Sequence, residues 1–177
     1  MMEELKYPVG QYKKPNTFTK EILSAAISVI EDFPKKIKQE TENLSDEQLD
    51  TPYRPEGWTV RQVVHHCADS HMNAFIRLKL ALSEDTPTIK PYTEGLWAEM
   101  DDTKHFPIYS SFQIIEGVHA RWATLLKNMS DIDYNRSFIH PEKGRELSLN
   151  ESTDMYAWHC NHHLAHITAL KNRKGWK

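Results

Sequence analysis

Apolar residues recur along this chain at helical spacing. Across 18–44, Ile22, Leu23, Ala26, Ile27, Val29 and Ile30 repeat at intervals of three and four, which on a turn of 3.6 residues makes one apolar face. A first helix is predicted there, kinked or divided by Pro34, which has no amide proton and crowds the preceding turn. Residues 46–49 add one turn, and Thr51-Pro52-Tyr53-Arg54-Pro55-Glu56-Gly57 breaks regular structure. A second helix opens where Thr59 caps it and Gln62 completes a capping box. It runs to about Ser83, with Val60, Val63, Val64, Cys67, Ala68, His71, Ala74, Phe75 and Leu78 on its apolar face. A third helix covers about 109–128. A fourth opens near Ser148, with Glu151 as capping-box partner, and ends near Asn172.

The segments between these helices differ in kind. Residues 1–17 are polar and carry Pro8 and Pro15, so they read as an extended N-terminal arm. Residues 84–107 contain three prolines and read as an irregular crossing with a short helix near 95–100; a connection of that length often serves as a lid. In 129–147, Phe138-Ile139-His140 and Glu146-Leu147 flank Pro141-Glu142-Lys143-Gly144, the pattern of a small β-hairpin. No repeat or linker divides the chain, so residues 1–177 read as one domain. The expected fold class is all-α: a four-helix bundle with long first and third connections and a small β-hairpin before the last helix.

Charge narrows the partners. With 22 Lys+Arg against 25 Asp+Glu, the formal charge is −3, which offers no basic footprint for nucleic acid. No apolar run approaches the roughly 20 residues of a membrane span, and the first residues lack the pattern of a signal peptide. The expectation is a cytoplasmic protein acting on a small molecule, with neither nucleic acid nor membrane as partner. The two cysteines, Cys67 and Cys160, are expected as small buried residues without a disulfide.

Histidine is where the chemistry concentrates. His159, His162, His163 and His166 are spaced i, i+3, i+4, i+7, so a helix projects all four from one side. Buried imidazoles need partners for their nitrogens, and a metal ion supplies one. Two i, i+4 pairs are available, His159/His163 and His162/His166, and such a pair chelates naturally. About ninety residues upstream lie His65, His66 and His71. Helical phase does not choose among them: His71 sits near the centre of the apolar stripe, His66 at its edge, and His65 points largely away. Two clusters together can supply the two-plus-one donors of an open site. There is no His-Glu-x-x-His, no Gly-x-Ser-x-Gly and no phosphate-binding glycine loop, so the chemistry is assigned to the metal.

Three further features invite a role. Arg61 and Arg54 could bind the carboxylate of an anionic cofactor, with an ion pair as the plain alternative. Asp69 could orient a ligand imidazole. Tyr92 and Trp97, in the 84–107 segment, could line a pocket.

The run Gly57-Trp58-Thr59-Val60-Arg61-Gln62-Val63-Val64-His65-His66, then Ala68-Asp69-Ser70-His71-Met72-Asn73, resembles the signature of the YfiT branch of the DinB superfamily. Trp158-His159, with His162-His163-x-Ala165-His166-Ile167, resembles its last helix. Asp50-Thr51-Pro52-Tyr53-Arg54 and Tyr7-Pro8-Val9-Gly10 also fit, so the resemblance spans nearly the whole chain. It implies a four-helix bundle binding one divalent metal, zinc or nickel, through three histidines: His66, His159 and His163. His65, His71, His162 and His166 then become supporting or packing residues. It also implies a homodimer. For activity it implies metal-dependent hydrolysis with an activated water. A first alternative is S-transfer from a low-molecular-weight thiol of the bacillithiol type on the same metal. A second is a non-catalytic metal-binding stress protein. The catalytic group is then the activated water or thiolate rather than a side chain.

Overall fold

The computed structural model describes residues 2–176. Its helices are α1 (Met2–Lys6), α2 (Lys20–Thr41), α3 (Asp46–Leu49), α4 (Val60–Ser83), α5 (Glu94–Trp97), α6 (Asp101–Lys104), α7 (Tyr109–Lys127), α8 (Asp131–Tyr134) and α9 (Leu149–Lys174). Strands β1 (Ser137–His140) and β2 (Arg145–Ser148) pair between α8 and α9. The four long helices, α2, α4, α7 and α9, make a bundle. Helix α2 packs against α7 and α9, and α4 against α7, whereas the seam between α4 and α9 is looser. The core is drawn from all four, with Ile30, Phe33 and Ile37 meeting Val60, Val63, Val64, Ile115, Trp122, Leu126 and Ile167.

Local sequence explains the starts of these helices. Thr59 accepts from the Gln62 amide at 3.1 Å, and the Gln62 side chain accepts from the Thr59 amide at 2.9 Å, closing the capping box. Ser148 caps α9 through the Glu151 amide at 3.2 Å, but the Glu151 carboxylate does not reach back to complete a box. It is buried and binds Arg145 bidentately, with Lys14 at 2.8 Å. Those charges offer a carboxylate more than one amide does, and they hold its pKa down to about 2, Arg145 chiefly.

Pro34 does not divide the first long helix, which continues through it from Lys20 to Thr41. What the proline removes is the donor for the carbonyl four residues back, that of Ile30. The N-terminal arm is not wholly extended, since α1 lies within it. The arm runs along α9: the Lys6 carbonyl accepts from His166 Nε2 at 3.1 Å and the Gly10 carbonyl from Trp158 Nε1 at 3.0 Å. Further along, the Tyr12 hydroxyl donates to Asp154 at 2.9 Å.

The hairpin is present in the expected place. Phe138 and Leu147 face each other across it and are both buried. Gly144 turns the chain at φ 61°, in the left-handed region that glycine enters without penalty. The hairpin also fastens the long 84–107 segment. Ile89 donates to the Ile139 carbonyl at 3.0 Å and Ile139 to the Pro87 carbonyl at 2.9 Å. No helix among the described residues is long and apolar enough to cross a membrane.

Candidate metal centre

The looser seam between α4 and α9 holds the histidines. Donor atoms of His66, His159 and His163 all lie within 4.8 Å of one another, His66 from α4 and an i, i+4 pair from α9. They line a chamber of about 400 Å³ together with Lys6, Tyr53, Arg54 and Trp58. The 53–58 turn builds one wall. Its Gly57 amide donates to the Arg54 carbonyl at 3.0 Å, and a Cβ at Gly57 would stand 2.7 Å from Arg54 Cγ and 3.2 Å from the Tyr53 ring. The turn sets the Trp58 ring 4.7 Å from that of His66.

These imidazoles are neutral. Burial pushes His66 down to about 4, and pushes His159 and His163 well below the ordinary range, with the neighbouring histidines adding to it. Neutral imidazole is the form that binds metal. Neither the His66 ring nor the His163 ring hydrogen-bonds a described residue, and His163 Nδ1 is buried without a partner. Buried polar atoms in a folded protein are nearly always paired; His162 Nδ1 and His166 Nδ1 are orphaned too, so it is the convergence of His66, His159 and His163, with an orphan among them, that marks a place for a ligand. The residues fit a divalent metal.

His159 differs, because its orientation is dictated from the far side of the bundle. His119 Nδ1 lies 2.5 Å from the Ile30 carbonyl that Pro34 leaves without a helical donor. A carbonyl only accepts, so His119 carries its proton on Nδ1 and offers a lone pair at Nε2. His71 Nδ1, 2.8 Å away, must then donate to it. That leaves His71 Nε2 as the acceptor for His159 Nδ1 at 3.1 Å. The proton of His159 is thereby fixed on Nδ1 and its Nε2 lone pair is free. Hydrogen bonds of this kind, from the far nitrogen of a ligand, commonly orient metal-site histidines.

The same accounting disposes of a second cluster. His71, His119 and Cys160 also bring donor atoms within 4.8 Å of one another, all buried. Every ring nitrogen of the two histidines is already engaged, and burial pushes the Cys160 thiol well up, keeping it protonated. No free imidazole lone pair and no thiolate remain there for a metal. Both cysteines are free and buried.

The other sequence candidates fall on either side of the seam. His65 points away from it, donating from Nε2 to the Phe106 carbonyl at 3.0 Å and accepting at Nδ1 from Ser111 at 2.7 Å. His162 stacks on Trp158 and His166 on Tyr53, both outside the trio of converging donors. Arg61 is not brought to the chamber. Its guanidinium binds Asp50 and Asp46, each at 2.7 Å, so it clamps α3 to α4 rather than holding a cofactor carboxylate. Arg54, its companion in the sequence reading, does line the chamber. Asp69 makes no hydrogen bond to the trio; His71 takes that position. Tyr92 lines an adjoining cavity, with Trp97 packed on its ring at 4.5 Å. Sequence reasoning missed His119. The available signal was a lone histidine on the apolar face of the third helix, opposite a helix carrying an internal proline.

A bundle with a three-histidine seam defines a class, and comparison with known proteins gives it a family. The chain belongs to the DinB superfamily, whose model matches residues 30–167. It is 47% identical over 172 residues to the Bacillus subtilis protein named "Putative metal-dependent hydrolase YfiT", covering 97% of each chain. It is 51% identical over 171 residues to an Oceanobacillus iheyensis protein given the same functional description, covering 97% of this chain and 98% of that one. The solved structure of Bacillus subtilis YfiT, described as a probable metal-dependent hydrolase with an unusual four-helix bundle topology, superposes with a TM-score of 0.95 at 46% identity. It covers 98% of this chain and 99% of that one.

Proposed function

We propose that this chain is a metal-dependent hydrolase of small molecules in which His66, His159 and His163 hold one divalent ion. Zinc is the default, and nickel is the rival that the same imidazoles accept. The observation that carries the reading is the set of converging neutral imidazoles with unspent lone pairs, one of them fixed in tautomer by His71. Three protein donors leave a tetrahedral ion one position short, as a catalytic site requires. A dication in that position supplies Lewis acidity that lowers the pKa of a water or thiol sharing its coordination. The chain's own residues do the rest. His71 holds the His159 ring in place, Trp58 covers the His66 ring, and Lys6 and Arg54 share the chamber wall with Glu56 and Glu94. A second reading is thiol S-transfer, in which the activated nucleophile belongs to a low-molecular-weight thiol; Lys6 and Arg54 are the cations that an anionic group of such a thiol would meet. The proposal includes a single domain over 1–177, a cytoplasmic location and a homodimer in solution, the last checked by light scattering.

The test is elemental analysis of untagged wild type and of His66→Ala, His159→Ala and His163→Ala. About one metal ion per chain in wild type, lost in each folded variant, is expected; retention in those variants moves the ligands elsewhere. Turnover of ester and amide panels with and without an added thiol then separates hydrolysis from S-transfer.

A further inference from the structure

A second chamber of about 480 Å³ opens beside the first and shares Glu94, Trp158 and His159 with it. It lies under the 84–107 segment and the hairpin, and its apolar lining includes Phe138, Leu147 and Met155. Its size suits a small organic molecule. On its α4 side sits Arg77, only 9% exposed.

Arg77 is an anomaly. Buried guanidinium groups are ordinarily paired with a carboxylate. No carboxylate of the described residues pairs with this one, and its Nε is buried without a partner. Its Nη2 reaches the Lys90 carbonyl at a long 3.4 Å, and the Tyr156 hydroxyl lies beside it. His140 Nδ1 of the same chamber is also orphaned, and the Tyr92 hydroxyl makes no well-formed hydrogen bond, with the Ser70 hydroxyl its polar neighbour. The carboxylates at this chamber, Glu94 and Glu142, are exposed. An uncompensated buried cation is costly, and its planar fork matches an oxyanion.

We propose that this chamber binds the oxyanion end of the substrate on Arg77, with the Tyr92 hydroxyl as a further donor. The substrate class is a small organic carboxylate or phosphoryl compound with an apolar body. The word substrate rests on the metal-dependent reading above; the anion site itself does not need the metal. Anchored at Arg77, the molecule extends past Trp158 toward His159 and the rest of the histidine trio.

The test uses metal-free protein, so that the probe cannot ligate an ion, with benzoate and phenylphosphonate as probes. Amide shifts in ¹⁵N-labelled wild type are expected to saturate and to map to 70–77, 92–95 and 138–140. Arg77→Met is expected to weaken binding by about ten- to a hundredfold, the range for a charge-assisted hydrogen bond. Arg77→Lys, which keeps the charge without the fork, falls between and serves if Arg77→Met does not fold. His163→Ala should bind the probes normally, so failure of the metal reading and failure of this one are separable. Equal binding by Arg77→Met, or by Arg77→Lys where Arg77→Met does not fold, or shifts mapping outside the chamber, would each overturn the proposal. A preference for benzoate assigns a planar carboxylate, and a preference for phenylphosphonate assigns a phosphoryl group.

Discussion

Replacing His119 by leucine should weaken a metal site that His119 does not touch. The substitution leaves two buried groups without partners, the Ile30 carbonyl and His71 Nδ1. Each orphan costs about 1–3 kcal/mol, so the metal-free bundle should lose about 2–6 kcal/mol. That is large against the 5–15 kcal/mol of a typical domain, and urea unfolding will show whether the variant stays folded under assay conditions. The second effect is the informative one. Without an acceptor at His119, His71 can move its proton to Nε2 and donate to His159. His159 then accepts at Nδ1, and its own proton moves to Nε2, where the metal should bind. Loss of such an orienting partner costs roughly ten- to a hundredfold in metal affinity, or about 1.4–2.7 kcal/mol. Chelator competition measures this on folded protein, and long-range ¹H–¹⁵N imidazole spectra report the His159 tautomer directly. Phe33→Leu is the control, because Phe33 stacks on His119 at 5.4 Å without entering the hydrogen-bond chain; its metal affinity should match wild type. A folded His119→Leu variant with unchanged affinity and His159 still protonated on Nδ1 would refute the reasoning.

Other outcomes can be checked on metal-free protein. The Glu151 carboxyl is held down to about 2 by Arg145 and Lys14, so its stabilisation is complete above its ordinary value of 4.5 and disappears as pH falls through about 2. Both cations are about half exposed, so screening reduces the effect to about 1–2 kcal/mol; urea midpoints of wild type and Glu151→Gln should differ at pH 7 and converge between pH 4.5 and 2. Leu147→Ala empties a fully buried position facing Phe138 and should cost about 2–5 kcal/mol by denaturant titration. Gly57→Ala drives a methyl against Arg54 and Tyr53, so about 1–3 kcal/mol of stability should go, together with altered amide shifts across 53–58.

The long helices and their caps were legible because they depend on residues near one another in sequence. The Thr59–Gln62 box needs only a three-residue spacing, and it formed as expected. Where a local signal competes with a distant partner, sequence loses sight of the outcome. Glu151 has capping-box spacing, yet Arg145 and Lys14 claim its carboxylate. Arg61 looked available for a cofactor until α3 folded back and placed Asp46 and Asp50 on it. At the histidine stripe, helical phase gave four donors on one face of α9 but could not rank His66 against His71. The distinction depends on what stands behind each ring, open chamber for His66 and His119 for His71. Arg77 was invisible for a similar reason, since nothing in its neighbours along the chain announces that it lacks a counterion.

The hydrogen-bond chain behind His159 takes one member from each long helix: the Ile30 carbonyl from α2, His119 from α7, His71 from α4 and His159 from α9. In water an imidazole exchanges freely between its two tautomers. Only the simultaneous docking of four helices commits this one. The lone pair offered at the seam is thus a logical AND over the whole bundle, so tight capture of the ion should report that every long helix is in place. A proline in a helix that contributes no ligand is what gives that circuit its fixed end.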